Sequence, residues 1–580
     1  MRRRSTFLHD PKLEVDPRQL YLSGDRFVIE NLRAAREERL TVGLDELPEE
    51  LCQVLRQSHE LHIRWASEDI YDAIPPFVSK ISPGLHVFYT PLQRQSGDLL
   101  CPLLHKVFSS TLKCRSPLST FTTPHLRSGR FASTSSLQYH SLLPSLNSLT
   151  QYIQRYLCKH SDQQCLHSAP LLNVADTVDI DYDSISHILI FTAHWSRPPA
   201  VLYDPLTGRT AENGWSLSVD TSANAEKVEV GVLGNEPPTD PSEISLSGFL
   251  TVVGEDDHPK PTLFSFPSRH HALPPSQSQD QRYKVSFLQP TGLHPKMQIS
   301  FPTASALKPP ANKPADSACA LHTYLTLPSA LFADKYQLSA TADTAFMQSH
   351  HLTALRAISG ETDLEAPDYV VEKWGSNLLV ELAVPPPSSS SRKLARSTPP
   401  NQVPDSSSRG WNVTIPLHLR YFPPSPTGYS TIDIPNPILF WACTAEEGTK
   451  FPVNPFDRVN LGYEGLFGGR TMFYHLDPAP GPDLGAAGRG EEGSGRGKLV
   501  QRIRVPVLNM EAWGAEWVEW GTVAVVMLGF LWVVCKLWAS GLSVRGEAGP
   551  KGVGGRPVEA DAREEEEEEE EHEREKKKKK

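Results

Sequence analysis

The acidic segment Asp179-Ile-Asp-Tyr-Asp183 carries carboxylates at the alternate spacing used by metal-binding loops. A calcium loop of the EF-hand type needs glycine at its sixth position and a bidentate glutamate at its twelfth, where this chain has Ser184 and Ile190. A second interpretation is the metal-binding Asp-x-Asp of a sugar transferase. We expect instead a solvent-exposed turn that precedes a buried strand starting at Ile185.

Histidines and glycines that could serve catalysis have spacings that do not fit the known motifs. A zinc-binding helix presents two histidines at positions i and i+4, whereas His59 and His62 are at i and i+3. The pairs His270-His271 and His350-His351 are predicted to lie in polar loops. The glycine-rich stretch 462–469 matches neither the dinucleotide nor the P-loop pattern and predicts a cluster of turns. The sequence therefore predicts no catalytic, cofactor or metal site.

Two kinds of covalent modification are predicted. Asn412-Val-Thr is an N-glycosylation sequon between a Ser/Pro-rich stretch and an apolar strand, so Asn412 is a predicted glycan site. Cys319 and Cys443 share one strand-rich region and a compartment predicted to be oxidising, so they could form a disulfide. Pairing cannot be deduced from sequence alone, and at this point the bridge and two free thiols are both open.

One apolar segment near the C-terminus, residues 517–538, organises the chain. It has no charged residue from Gly521 to Cys535, and a helix of this length, at about 1.5 Å per residue, crosses a hydrocarbon core of roughly 30 Å. Trp517 and Trp538 near its ends suit the headgroup layers. A GPI-attachment signal is excluded because about forty polar residues follow. We predict one membrane-spanning helix, the alternative being a buried core helix.

The charges that flank this helix predict its orientation. Glu511, Glu516 and Glu519 precede its apolar part, whereas Lys536, Arg545, Lys551 and Arg556 follow. Because positive residues stay on the cytosolic side, we expect a cytosolic C-terminus and a lumenal N-terminus. The basic start of the chain has no apolar stretch behind it, so no cleaved signal peptide is predicted. Either the membrane helix directs transfer of the preceding part or another route does.

The tail, residues 539–580, is predicted to be disordered and cytosolic. It contains the like-charge blocks Glu564–Glu571 and Lys576–Lys580, which cannot bury a core. Lys577 and Lys578 are fourth and third from the end and fit a dilysine signal for retrieval to the endoplasmic reticulum. The alternative is a solvated charge run that no receptor binds.

Composition predicts a mainly β fold before the helix. The 51 prolines favour strands and turns, and a net charge of −11 offers no basic field for nucleic acid. Residues 1–255 are predicted to be a mixed α+β region. Residues 256–477 are predicted to be an antiparallel β-sandwich-like domain, because short strand-like runs such as Met297–Phe301 and Tyr369–Lys373 recur between turn residues. Residues 478–512 are predicted to be a linker.

Five segments resemble the PIG-X family in their order and spacing. They are His294–Phe301, Cys319–Leu338, Asp363–Pro367, Ile415–Tyr421 and Pro437–Cys443, followed by one membrane helix. The resemblance extends over residues 285–540. The N-terminal part, with Leu61–Trp65 and Ser82–Pro91, is similar to the extra region of the fungal members known as protease B nonderepressible proteins. The Pro/Ser-rich stretch 385–408 and the charged tail depart from the family pattern.

The resemblance implies a non-catalytic protein of the endoplasmic reticulum membrane, without a cofactor. Its implied partner is the multi-span catalytic subunit of GPI mannosyltransferase I, which adds the first mannose to the glycolipid precursor of GPI anchors. A single membrane helix agrees with this role, because handling a lipid-linked sugar normally needs a multi-helix body. A second hypothesis is a broader lumenal folding factor with several client proteins. A third is an enzyme in its own right.

Overall fold

The computed structural model has two compact units, residues 1–508 and residues 509–580, which we describe separately. The stretches outside the described residues are 1, 11–14, 16–18, 25, 94–98, 125–135, 161, 205–208, 213, 221–226, 340–343, 364, 387–409, 445–460, 481–496, 510, 512–513 and 547–580. Lys577 and Lys578, most of the charged tail and most of the Pro/Ser-rich stretch therefore lie outside the described residues.

The strands of the described residues are β1 (Arg2–His9), β2 (Leu20–Ser23), β3 (Arg26–Leu32), β4 (Ala35–Gly43), β5 (Ser58–Ala66), β6 (Gly84–Pro91), β7 (Leu137–Ser141), β8 (Thr177–Asp183), β9 (Ile188–Trp195), β10 (Val201–Asp204), β11 (Arg209–Glu212), β12 (Trp215–Asp220), β13 (Lys227–Glu236), β14 (Glu243–Val252), β15 (Lys260–Pro267), β16 (His270–His271), β17 (Lys284–Phe287), β18 (Lys296–Phe301), β19 (Ala318–Pro328), β20 (Leu331–Phe332), β21 (Leu352–Gly360), β22 (Gly375–Leu382), β23 (Trp411–Pro416), β24 (His418–Leu419), β25 (Tyr429–Pro435), β26 (Ile438–Thr444), β27 (Thr471–His475) and β28 (Val500–Pro506). The α-helices are α1 (Glu49–Arg56), α2 (Leu100–Val107), α3 (Pro117–Thr120), α4 (Asn147–Tyr152), α5 (Gln163–Ser168), α6 (Pro275–Asp280), α7 (Thr344–Ser349) and α8 (Ala515–Gly546).

The first unit is mainly β, which confirms the predicted class, and its largest sheet has ten strands. Their order is β15-β14-β13-β1-β4-β9-β8-β5-β6-β7, and neighbours are antiparallel except β1 and β13. One face of this sheet, with Trp65, Val87 and Tyr89, shares a core with α1, α2 and α4. Helices this short are marginal alone, so this shared core stabilises them.

A six-stranded sheet is the middle layer of the C-terminal half, in the order β16-β27-β26-β19-β22-β21. Alternate residues of β26 enter different cores. Leu439 and Trp441 pack with residues of β18 and β23, whereas Phe440 packs with residues of the N-terminal half. Because both faces of β26 are covered, its sequence is a nearly unbroken apolar run. The sheets β17-β18-β23 and β16-β27-β26-β19-β22-β21 enclose the first of these cores as the two layers of a sandwich.

The predicted boundary at residue 255 does not separate two domains. Leu8, Phe77 and Leu233 share a buried cluster with Tyr324 and Phe440, so the two halves are packed together. In addition, β15 is the edge strand of the ten-stranded sheet and pairs with β14. Local hydrophobic patterning does not reveal this, because strand pairing depends on residues far apart in sequence.

The predicted linker 478–512 is wrong in its C-terminal part. Strand β28 lies there and pairs with β25 along its whole length, from Tyr429 opposite Pro506 to Pro435 opposite Val500. Ile503 and Val505 alternate with exposed residues and are buried. This part of the chain therefore belongs to the folded body.

Three local predictions are also wrong. Residues 179–183 form the end of β8, and the turn comes after them because Asp183 Oδ1 accepts hydrogen bonds from the Ile185 and Ser186 backbone N–H groups. His270 and His271 are buried in β16, which pairs with β27. The stretch 369–373 is a turn rather than a strand.

The second unit contains the predicted apolar helix. Helix α8 is 32 residues long, and its stretch Glu516–Ser540 is long and apolar enough to cross a membrane. Its large apolar side chains, such as Trp517, Leu528 and Trp538, are exposed. A helix that exposes apolar groups all round suits a hydrocarbon surrounding.

Candidate partner-binding surface

Two carboxylates of β8, those of Asp179 and Asp181, are paired with basic side chains within the fold. Asp181 Oδ1 accepts hydrogen bonds from Arg64 Nη2 at 2.5 Å and from His62 Nδ1 at 2.7 Å, and Asp179 Oδ1 lies 3.7 Å from Arg64 Nε. Burial raises the pKa of Asp181, but the charges and hydrogen bonds of Arg64 and His62 together outweigh burial and lower the pKa to about 2. These groups form an internal ion-pair network. Among the residues that the structure describes, no group of three His, Cys, Asp or Glu side chains could hold a metal ion.

Four histidines of the C-terminal half are buried: His270, His271, His322 and His475. His270 Nε2 donates a hydrogen bond to Glu464 Oε1 at 2.6 Å, and His475 Nε2 lies 2.9 Å from the Tyr463 hydroxyl. The side chains of Tyr463 and Glu464 are buried as well. Burial lowers the pKa of His322 to about 4, so its ring is neutral at physiological pH. The hydrogen bonds of His270 and His475 connect segments within the C-terminal half.

Three disulfides join cysteines of the first unit. Cys319 and Cys443 lie opposite each other on β19 and β26 and are bonded, which is one of the two alternatives that the sequence leaves open. The bridges Cys101–Cys114 and Cys158–Cys165 are not anticipated from the sequence. Their separations of 13 and 7 residues are the signal that could have suggested them. Disulfides of this number are typical of an oxidising compartment.

Asn412 lies near the start of β23, and its side chain is exposed. Its backbone carbonyl accepts a hydrogen bond from His351 Nδ1 at 2.6 Å, while the next residue, Val413, is buried. Because side chains alternate along a strand, the Asn412 amide points away from the core. A glycan would extend into solvent from this position, and its attachment stays a prediction.

Arg420 follows β24 and connects three segments of the chain. Its side chain is only 2% exposed. The Nε atom donates to the Ser329 carbonyl at 3.0 Å, and Nη1 donates to the carbonyls of Asp363 at 2.5 Å and Ala366 at 2.7 Å. The guanidinium carbon also lies 4.5 Å from the centre of the Phe332 ring. A planar group with several fixed donors is suited to fixing several loops at once.

The segments around Arg420 present apolar side chains to solvent. We call these four residues the Arg420 surface: Leu293 (49% exposed), Tyr336 (66%), Tyr369 (67%) and Val370 (60%). Backbone hydrogen bonds bring their segments together, from Leu419 N–H to the Leu293 carbonyl at 2.9 Å and from Asp368 N–H to the Tyr421 carbonyl at 3.1 Å. Exposed apolar side chains on a framework of this kind can bind another apolar surface.

A histidine pair lies beside this surface. His294 Nδ1 and His418 Nδ1 are 3.2 Å apart, and His418 Nε2 lies 3.3 Å from Gln337 Oε1. The amide oxygen can only accept, so His418 donates from Nε2 and its Nδ1 accepts from His294. Burial lowers the pKa of His418, and the neighbouring His294 lowers it further. The pair therefore links the segments that carry Leu293 and Tyr336.

Four of the five family-like segments meet around Arg420 and His418. Arg420 connects the fourth segment to the third across 57 residues, and His418 connects it to the first across 124 residues. Phe332 and Gln337 lie in the second. The sequence identifies the segments but not the surface, because no local pattern indicates which of them touch.

Comparison with known proteins identifies the family of this chain. The family model described as PIG-X / PBN1 matches residues 290–538. Protein pbn1 of Emericella nidulans is 49% identical over 557 residues, covering 94% of this chain and 96% of that protein. Protein pbn1 of Neurospora crassa is 38% identical over 93% of this chain and 95% of its own length. Protein PBN1 of Yarrowia lipolytica is 24% identical over 92% and 95%. The chain belongs to the PIG-X / PBN1 family.

Proposed function

We propose that this protein is a non-catalytic subunit of the endoplasmic reticulum membrane that stabilises the multi-span catalytic subunit of GPI mannosyltransferase I. Its body would be lumenal, one helix would span the bilayer, and the tail would be cytosolic. Family membership supports the connection with GPI-anchor synthesis. The apolar stretch of α8 supports the membrane location, and the three disulfides favour an oxidising lumen.

The Arg420 surface is the observation that carries this proposal. It lies within the residues that match the family model, and four apolar side chains project from it. The polar groups next to it, Arg420 and the His294–His418 pair, hold the loops in place. Because these loops are already ordered, binding a partner would cost them little further conformational entropy.

Binding at such a surface would stabilise the partner by mass action. A ligand that binds only the folded state of a protein raises its free energy of unfolding. The increase grows with the logarithm of one plus the ratio of ligand concentration to Kd. Anchoring both proteins in one membrane raises the effective concentration of each for the other. A modest apolar contact would therefore suffice to keep the catalytic subunit folded.

The test is a deletion strain in which abundance of the mannosyltransferase catalytic subunit and mannosylation of GPI precursors are measured. We expect both to fall several-fold and to return when the full chain is supplied. The double variant Tyr336→Ser/Tyr369→Ser should fail to restore them. Ile185→Ser is the control, because Ile185 is 85% exposed in the turn between β8 and β9 and is not part of the Arg420 surface. Normal abundance and normal mannosylation in the deletion strain would refute the proposal.

A broader folding factor is the second candidate. Aromatic and aliphatic side chains such as those of the Arg420 surface can accept many sequences, which favours several clients. Affinity capture of the full chain followed by quantitative proteomics separates the two candidates. One dominant membrane partner favours the subunit, whereas many clients of similar abundance favour the folding factor. Transferase activity of the purified full chain would contradict both.

A further inference from the structure

An uncharged aromatic loop lies at the end of the folded body. Residues 421–429, Tyr-Phe-Pro-Pro-Ser-Pro-Thr-Gly-Tyr, contain no charged side chain, and we call them the exit loop. Tyr421 is 65% exposed, and Tyr429 at the other end is about half exposed. A soluble loop would normally carry polar or charged residues, so this composition needs an explanation.

Hydrogen bonds fix the exit loop to the last residues of the body. The Ser425 backbone N–H donates to the Leu508 carbonyl at 2.9 Å, and the Val507 N–H donates to the Gly428 carbonyl at 3.0 Å. Strands β25 and β28 continue this pairing from Tyr429 opposite Pro506. The loop therefore lies beside the point where the chain leaves the body, and Leu508 adds an exposed apolar side chain there.

The chain has little length between this point and the apolar helix. Residues 509–514 connect Leu508 to Ala515, the first residue of α8. Even fully extended, this connection spans no more than about 25 Å. If α8 crosses a bilayer, the headgroup layer is within reach of the exit loop.

We propose that the exit loop contacts the headgroup layer of the bilayer that α8 spans. Tyrosine rings prefer this layer, because one end of the ring is apolar and the hydroxyl is polar. The guanidinium of Arg504 lies 3.8 Å from the centre of the Tyr429 ring, and its exposed side chain is suited to lipid phosphates. The ligand is thus a phospholipid surface. This inference rests on α8 as a membrane span and not on the mannosyltransferase partner.

The test uses the full chain in phosphatidylcholine vesicles. Cys535→Ser removes the exposed cysteine of α8, Cys52 is buried, and the other six cysteines are in disulfides. A fluorophore is attached to Thr427→Cys in the exit loop, and its quenching by headgroup- and acyl-labelled lipids is measured. Leu263→Cys on β15 is the control, because Leu263 is 72% exposed.

We expect lipid quenching at position 427 to be at least several-fold stronger than at position 263, and Tyr421→Glu to reduce it toward the control. Equal quenching at the two positions would overturn the inference, as would a chain that fails to integrate into the vesicles. Quenching that appears only after the mannosyltransferase subunit is added would also overturn it. Loss of the proposed mannosyltransferase role alone would leave the lipid result unchanged, so the two proposals can fail separately.

Discussion

Replacing Arg420 by methionine should release the loops that form the Arg420 surface. The variant loses three hydrogen bonds to the carbonyls of Ser329, Asp363 and Ala366, each with a net contribution of about 1 kcal/mol. It also loses the cation–π contact with Phe332, which contributes roughly 0.5–1 kcal/mol. Removing a buried charge returns part of its desolvation cost. We therefore expect the local free energy of opening to fall by about 2–3 kcal/mol.

Hydrogen–deuterium exchange measures this change at the affected amides. The N–H groups of Asp368 and Arg420 are hydrogen-bonded to the carbonyls of Tyr421 and Ala330, so they exchange only when the loops open. A loss of 2–3 kcal/mol corresponds to roughly 30- to 150-fold faster exchange. Peptides from the ten-stranded sheet should be unaffected, because the change is local.

Arg502→Met is the matched control for this experiment. The Arg502→Met variant also loses hydrogen bonds to a partner, Asp433, but the Arg502 side chain is 72% exposed, so solvent screens the ion pair and little stability is lost. Arg420→Lys should be intermediate, because it keeps the charge and loses the forked geometry. Wild-type exchange in the Arg420→Met protein would refute the idea that this side chain holds the surface together. Recovery of the catalytic subunit with the Arg420→Met protein should fall in parallel.

The other predictions concern covalent links and pH. Endoglycosidase should increase the gel mobility of the wild type but not of Asn412→Gln, and unchanged wild-type mobility would count against a lumenal sequon. The double variant Cys319→Ala/Cys443→Ala should lose about 5 kcal/mol, because its bridge is 124 residues apart in sequence, against about 2 kcal/mol for Cys158→Ala/Cys165→Ala at 7 residues. Urea titration without reductant compares the two, and equal losses would contradict the loop-length argument. Lowering the pH from about 7 to 5 should lower the urea midpoint, because burial holds the folded-state pKa of His322 at about 4, below its unfolded value near 6.5. The stability that comes from burying the neutral His322 ring is fully present above the pKa of the unfolded state. It is lost as the pH falls toward the pKa of the folded state, so an unchanged urea midpoint between pH 7 and 5 would be incompatible with a buried neutral ring.

Local patterns predict the elements of this fold, and long-range contacts decide their roles. Alternating residues indicate β18, an unbroken apolar run indicates β26, and an uncharged stretch indicates α8. The turn at 369–373 is apolar enough to resemble a strand in sequence. Its conformation depends instead on distant residues, because Arg420 binds the Ala366 carbonyl and the Tyr421 carbonyl binds the Asp368 N–H. Two adjacent histidines look polar in sequence, whereas in β16 they are buried by pairing with a strand two hundred residues further along.

Arg420 shows why the candidate surface could not be found from sequence. An arginine that follows an apolar strand usually has its side chain in solvent. Nothing near Arg420 in sequence indicates the carbonyls that it binds. Those carbonyls belong to residues 54 to 91 positions away. The burial of its charge is a property of the assembled loops.

Tyr421 connects the two surfaces proposed for binding. Its carbonyl accepts the Asp368 N–H beside Tyr369, and its side chain begins the exit loop. If the exit loop lies on the bilayer, a protein bound at the Arg420 surface lies close to the bilayer as well. That position is suited to the lumenal loops of a membrane-embedded partner, whereas soluble clients would gain nothing from it. Tyr421→Glu should therefore weaken capture of a multi-span partner while leaving soluble clients unaffected, which separates the stabilising subunit from the general folding factor by a single substitution.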